Sequence, residues 1–281
     1  MPSGGRAALM DRLMCLHVQT SGEPVEVLVN GVPVLALPAG AGSQSVTVHE
    51  YLQNGANRLS LVVAPWPVAQ AVAAPNAPAQ PRMASRPAQA RARLVLLRQG
   101  KSLADEAVRV LAEVSWGVEE GDAFEAPTVV HQDLELPVAF PRWRWLDAPV
   151  LNPGPQDRQA VLALLQRIAF DLSRGNPDSL LAACRLKLEE VDQAYQRPAG
   201  QGAAQLREQV QQLWQAGLLA TLQPPTAETL LLRVVAGGRL LEALNPLGAP
   251  VLGSRNDDAA PGNIAWPLRL TLIDGKVYVL R

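Results

Sequence analysis

The chain has 281 residues, of which 48% are hydrophobic and 18% are charged, and its formal net charge is −1 at pH 7. This length suits two ordinary domains, and the composition is that of a folded protein, which excludes a disordered or fibrous chain. The near-neutral charge predicts no nucleic-acid partner, and no stretch approaches the roughly 20 apolar residues that a membrane helix needs, so we expect no membrane partner either.

Cysteine usage and the first residues predict a cytoplasmic protein without a metal or cofactor. The two cysteines, Cys15 and Cys184, have no cysteine or histidine at ligand spacing, which indicates neither a disulfide framework nor a zinc site. Asp11 and Arg12 interrupt the first residues before an apolar run of signal-peptide length can form. The basic residues are almost all arginine, which is typical of proteins from GC-rich bacterial genomes.

Short strand-like runs dominate the first half of the chain. Residues 25–29 and 32–37 are rich in valine and flank Asn30-Gly31, the dipeptide that most strongly predicts a tight hairpin, and Pro33 should then lie at an edge or a bulge. Further strand candidates cover residues 45–48, 58–63, 93–98, 107–116, 131–136 and 142–146. This pattern predicts an all-β sandwich over residues 1–149.

Two segments of this half resemble a known family. Residues 27–37, VLVNGVPVLAL, and residues 45–63, SVTVHEYLQNGANRLSLVV, look like the galactose-binding-type jelly-roll that accompanies the catalytic barrel of β-galactosidase-type glycoside hydrolases. The resemblance implies that Tyr51 and Leu52 close one end of a sandwich, and that Asn57 bonds loop backbone. In that family the module is often only scaffolding, so the resemblance supports the fold more than sugar binding.

A proline- and alanine-rich segment at about 65–92 interrupts the strand pattern. It holds six prolines and three arginines but no acidic residue, which predicts an extended or mobile insertion without helix or ladder. Strand signals resume at Arg93, so we place the insertion inside the first domain. The alternative is a linker between two smaller domains.

The second half reads as helices followed by strands. After a boundary at 152–155, amphipathic patterns predict helices from Pro155 to about Gly175, from Asn176 to Pro198, and over about 204–216 with Trp214 facing inward. Short apolar runs follow, separated by the hairpin signals Gly237-Gly238 and Asp274-Gly275. The expected domain, residues 154–281, has three helices packed on an antiparallel sheet. This order resembles the nuclear-transport-factor-like, or cystatin-like, fold, and a generic α+β domain is the alternative.

No group of residues predicts catalysis. His17, His49 and His131 all lie in the first half, the nucleophile elbow G-x-S-x-G is absent, and the glycine-rich residues 40–45 match no phosphate-binding motif and are expected to form a loop. We expect the histidines to be structural or exposed. Asp171 is the candidate base if the second domain contains an open cavity.

Residues 141–145, PRWRW, form the most distinctive local pattern. On a strand, Trp143 and Trp145 would share one face and Arg142 and Arg144 the other. The tryptophans could then stack on a sugar ring or anchor a partner protein, because Trp and Arg dominate interface hot spots. The alternative is that they belong to the core.

These observations favour a non-catalytic bacterial binding or accessory protein, of the adaptor or toxin-neutralising type, whose partner is another protein. One alternative is a small-molecule enzyme that uses a cavity in the second domain. The other is a carbohydrate-binding module.

Overall fold

The computed structural model describes residues 12–98, 108–253 and 264–281, and these residues form α-helices and antiparallel sheets. Their contacts divide the chain into two compact units. The first comprises the described residues up to Trp66, Asn76–Arg142 and Ala194–Gln196. The second comprises Pro67–Pro75, Trp143–Gln193 and the described residues from Arg197 onwards. No helix in these described ranges has both the length and the apolar content to cross a membrane.

The first unit is built from strands. They are β1 (Arg12–Ser21), β2 (Val25–Val29), β3 (Val32–Leu37), β4 (Gly42–Thr47), β5 (Gly55–Val63), β6 (Gln80–Met83), β7 (Ala88–Arg98), β8 (Arg109–Val118), β9 (Ala123–Ala126) and β10 (Thr128–Leu136). One sheet has the order β4-β1-β7-β8, a second has the order β10-β5-β2-β3, and β6 pairs with β9. Alternate residues of both large sheets meet in one apolar core, which includes Leu16, Val27, Leu61 and Leu94.

Local turn chemistry explains the β2–β3 hairpin. Asn30 and Gly31 have φ angles of 52° and 76°, the left-handed conformation that a type I′ turn requires, and the two strands pair antiparallel. Pro33 lies on β3 at the edge of its sheet, opposite a shift in register between Val27 and Leu28. The predicted hairpin and the predicted edge position of the proline are therefore confirmed.

The loop before β5 is organised by Asn57. Its Oδ1 accepts a hydrogen bond from Gln53 N at 2.9 Å, and its Nδ2 donates to the carbonyls of Gln53 and Gly55, both at 2.8 Å. Leu52 is fully buried beside this loop. Asn57 thus bonds loop backbone, as the sequence predicts.

The proline-rich segment is more ordered than its composition predicts. Helix α1 (Val68–Ala73) occupies a stretch of alanine and valine between the prolines, and strand β6 pairs with β9. The expectation of no helix and no ladder is wrong. The reason is spacing, because seven residues separate Pro67 from Pro75 and leave room for the six-residue helix α1. Proline is also tolerated in a short edge strand such as β6, where its missing N–H need not be used for pairing.

The second unit contains the remaining elements. They are α1, α2 (Pro155–Leu172), α3 (Asp178–Ala194, whose last residue belongs to the first unit), α4 (Gln201–Gln215), β11 (Leu231–Val235), β12 (Leu240–Leu244), β13 (Leu252–Gly253), β14 (Ala265–Trp266), β15 (Arg269–Ile273) and β16 (Lys276–Val279). The main sheet has the order β11-β12-β15-β16. Buried residues from α2, α3, α4 and this sheet form one core, which includes Leu165, Leu180, Val210, Leu241 and Leu270. The predicted helices and hairpins are confirmed.

Trp214 differs from its prediction. Its side chain is 52% exposed, although it was expected to face inward from α4. The ring lies against Gly175, where φ is +75° and an added Cβ would come within 2.6 Å of the ring. Because Gly175 has no side chain, the ring can approach the backbone after α2, and about half of its surface stays exposed.

Candidate functional site

The predicted binding residues do not form a strand. Arg144–Asp147 is a 3-10 turn, and the residues before it are irregular. Trp143 and Trp145 are 0% and 2% exposed, whereas Arg142 and Arg144 are exposed. Arg142 groups with the first unit and the other three residues with the second. The turn still separates tryptophans from arginines, but both indoles are buried, so no ligand can reach them without rearrangement.

A buried ion pair lies beside these tryptophans. Glu190 on α3 accepts a hydrogen bond from Arg281 Nη1 at 2.6 Å and another from Arg144 N at 2.8 Å. Both charged side chains are almost completely buried. The Arg281 guanidinium also lies 5.4 Å from the ring centre of Trp143 and 6.0 Å from that of Trp145. The carboxylate and the two indole faces together offset the desolvation of the arginine, so this cluster is structural.

A second buried carboxylate is also neutralised. Glu242 on β12 accepts from Arg269 Nη2 at 3.0 Å and from Arg233 Nε at 3.0 Å. Both arginines lie on neighbouring strands. Asp171, the candidate base, accepts a hydrogen bond from the Ser179 hydroxyl and is half-buried. Within the described ranges, no three His, Cys, Asp or Glu side chains come together in a way that could hold a metal ion.

His49 is a buried structural histidine. Its Nε2 accepts a hydrogen bond from Met14 N at 2.7 Å, and its Nδ1 lies 3.0 Å from the carbonyl of Ala194. The ring stacks on Tyr195 and lies at an angle to Phe140. Because Nε2 accepts and a carbonyl can only accept, the ring must be the neutral Nδ1–H tautomer. Both ring nitrogens are therefore used to hold backbone of the first unit.

This geometry predicts that acid destabilises the first unit. Burial lowers the pKa of His49 from its usual value near 6.5, and the bond to Ala194 opposes this only in part. The unfolded chain therefore binds the proton more readily, so stability is complete above about pH 6.5 and falls below it, by at most about 1.4 kcal/mol per pH unit. Urea unfolding at pH 8, 6 and 5 should show this loss in the native protein.

Two variants distinguish the contribution of His49 to this pH dependence from that of the other histidines. His49→Gln should remove most of the pH dependence, and His131→Gln, an exposed position, should keep it. His17 contributes in the same direction, because burial and then Arg93 lower its pKa, so the difference between the native protein and His49→Gln isolates His49. An unchanged pH profile in His49→Gln would contradict the assignment.

The outer face of the β4-β1-β7-β8 sheet is polar. The register places Ser43, Gln19, Arg91 and Ser115 in one row across the four strands. A groove of about 600 Å³ follows this row, and Trp116 lines it. Arg91 Nη2 donates to Glu113 at 2.7 Å. This face offers hydroxyl, amide and guanidinium groups for contact with a polar surface.

Strand β4 forms an exposed edge beside this face. In the described part of the chain, β4 pairs with β1 on one side and with no strand on the other. Val48 N donates to Met14 O at 3.1 Å. In an antiparallel pair every second residue bonds to the same neighbouring strand, so residues 46, 44 and 42 also bond to β1. Ser43, Ser45 and Thr47 therefore direct their backbone N–H and C=O groups to the free edge.

Comparisons with known proteins add little to this picture. No protein-family model matches the chain, and no curated protein matches it. One solved structure that matches is from Bacteroides fragilis and is provisionally named as a β-galactosidase; it shares 14% sequence identity at a TM-score of 0.17. The match covers 48% of this chain and 26% of that one. At this TM-score the likeness supports no conclusion about fold or activity.

Proposed function

We propose that the chain is a non-catalytic binding protein whose partner is another protein, and that an extended segment of this partner adds a strand to the free edge of β4. The observation on which this rests is the exposed edge with its outward row of backbone groups at Ser43, Ser45 and Thr47. Strand addition supplies affinity through main-chain hydrogen bonds and needs no catalytic group.

Two of the other three edges of the large sheets, those of β3 and β8, carry features that hinder strand addition. On β3, Pro33 removes one backbone donor from the edge. On β8, the amide of Glu113 already donates to the side chain of Gln132 on β10 at 2.8 Å. By contrast, β4 reads GSQSVT, without the proline, the charge or the bulge by which folded proteins usually block edge pairing.

The adjoining face suggests the chemistry of the partner. The polar row from Ser43 to Ser115 would contact side chains that project from the added strand. Its hydroxyl and amide groups favour a polar segment, and the carboxylate of Glu113 already neutralises Arg91. We therefore expect a partner segment with alternating polar side chains and little net charge.

A proline substitution tests this function directly. Ser43→Pro should block strand addition, because it removes an N–H that faces the free edge, while the ladder to β1 stays intact. Ser43→Ala is the matched control, since it removes the hydroxyl and keeps the N–H. In cells of the source organism, a photo-crosslinker placed at Gln44 should capture one protein when the rest of the chain is native. The amount of this protein captured should fall about tenfold in Ser43→Pro and change little in Ser43→Ala.

Two results would reject the proposal. One is capture by Ser43→Pro at the native level. The other is equal capture by a crosslinker at Val129, an exposed residue of β10 in the second sheet. Unfolding of Ser43→Pro in urea provides the folding control, because no ladder bond is lost and the midpoint should hardly move.

We also propose the finer fold and domain assignments. The strand order of the first unit and the Asn57 loop support a galactose-binding-type jelly-roll sandwich, and three helices on an antiparallel sheet support a nuclear-transport-factor-like second domain. The boundary between these two domains, near residues 150–153, is also part of this proposal. The carbohydrate alternative rests on Trp116, since it lines the polar groove whereas Trp143 and Trp145 are buried.

A further inference from the structure

An apolar groove opens at one end of the first unit, away from the polar row. Its volume is about 410 Å³, which is within the range of roughly 300 to 1,000 Å³ that small-molecule sites occupy. Its apolar walls come from both large sheets and from the segment after β10, and include Met14, Leu96, Leu111, Leu136, Val138 and Phe140. His49 lies at the inner end, where both ring nitrogens are already bonded, so it contributes only ring surface.

Arginines gather at the mouth of this groove. Arg12 and Arg109 line it, and Arg98 lies directly opposite Arg12 in the β1–β7 register. Among the described residues, no acidic side chain forms an ion pair with any of the three. Like charges directly opposite each other on neighbouring strands are destabilising. Among the described residues, this end of the sheet therefore carries positive charge that no carboxylate pairs with.

We propose that this groove binds an amphipathic monoanion, a molecule with an apolar chain or ring and one carboxylate. The apolar walls take the hydrocarbon, and the guanidinium groups of Arg12 and Arg109 hold the carboxylate, for which their fork geometry is suited. Bound anion removes the repulsion between Arg12 and Arg98.

The charge of the ligand follows from a fourth residue. Glu135 also lines the groove, so the mouth presents two arginines and one carboxylate. One bound carboxylate balances the excess positive charge of these three side chains, whereas a dianion such as a phosphate monoester would leave one negative charge uncompensated. A medium-chain fatty carboxylate fits both the volume and the charge.

Calorimetric titration of the full chain with dodecanoate, below its micelle concentration, tests the proposal. Dodecanoate should bind, and the double variant Arg12→Gln/Arg109→Gln should weaken binding about tenfold or more, because both charge-assisted bonds are lost. Dodecanol lacks the carboxylate and should bind equally weakly to both proteins. Arg58→Gln is the matched control, since Arg58 is exposed on the second sheet and pairs with Asp133, and it should leave dodecanoate binding unchanged.

A steric variant adds an independent test. Val138→Trp, at a half-buried position of the groove wall, should fill the apolar part and reduce dodecanoate binding without removing a charge. The proposal fails if dodecanoate gives no binding heat up to about 1 mM, which corresponds to about −4.1 kcal/mol. It also fails if dodecanol binds as tightly as dodecanoate, or if Arg58→Gln weakens binding as much as the double variant.

Discussion

Glu190→Gln should lower the free energy of unfolding by about 3 to 5 kcal/mol, because it leaves the buried guanidinium of Arg281 without its carboxylate. The substitution preserves volume, so the loss would report charge and not packing. Urea unfolding followed by far-ultraviolet circular dichroism measures it.

Two further variants interpret the Glu190→Gln result. Glu189→Gln changes the neighbouring carboxylate, which is 40% exposed and pairs with Arg185, and should cost at most about 1 kcal/mol. The double variant Glu190→Gln/Arg281→Met should recover much of the lost stability, because it removes the buried cation that Glu190→Gln leaves without a counter-charge. Similar small losses for Glu190→Gln and Glu189→Gln would contradict the role of the pair in the core of the second unit.

Trp143→Ala should also cost about 3 to 5 kcal/mol, the range for removing a large aromatic side chain from a core. Trp143 is fully buried and its ring lies over Arg281, so the variant loses both packing and a cation–π contact. The matched control is Trp214→Ala, because Trp214 is 52% exposed and its loss should change stability far less. Near-ultraviolet circular dichroism should change strongly in Trp143→Ala.

The opposite result for Trp143 would have a clear meaning. If Trp143→Ala has the same urea midpoint of unfolding as the native protein and the same near-ultraviolet circular dichroism spectrum, the indole is not a core residue in solution. The segment from Arg142 to Trp145 would then become the first place to look for a ligand, with a binding loss of about 2 kcal/mol expected for a hot spot.

Elements with strong local signals could be predicted from the sequence. Asn30-Gly31 and Asp274-Gly275 determine their turns through the φ angles they tolerate, so both hairpins were predictable. Pro155 begins α2 at the first turn of a helix, where its missing N–H costs nothing. In these cases a few adjacent residues determine the conformation.

Elements that depend on distant partners could not be predicted. Strand β4 was predicted only from residue 45, and the prediction of a loop over residues 40–45 is wrong, because β4 begins at Gly42-Ser43. These residues have low strand propensity and pair because β1 lies beside them. The alternation of Trp143, Arg144 and Trp145 fits a strand. The structure has a 3-10 turn there instead, and it also buries both tryptophans while Arg144 stays exposed. Both indoles are buried beside the Arg281 guanidinium, a contact that the local pattern does not reveal.

Both candidate sites were missed for the same reason. Arg12, Arg98 and Arg109 are widely separated in sequence, and only the register of β1, β7 and β8 brings them to one end of a sheet. The free edge of β4 likewise exists only once the strand order is known. A weak signal was present, since GSQSVT lacks any charged residue or proline to protect an edge.

The membership of Ala194–Gln196 in the first unit has a consequence for biosynthesis. The ring of His49 finds its carbonyl partner, and Glu50 its partner Tyr195, about 145 residues further along the chain. A ribosome adds about 5 to 20 residues per second, so the first unit waits on the order of ten seconds for these contacts after its early strands emerge. During that interval the early strands lack part of their packing, and they are most exposed to chaperones.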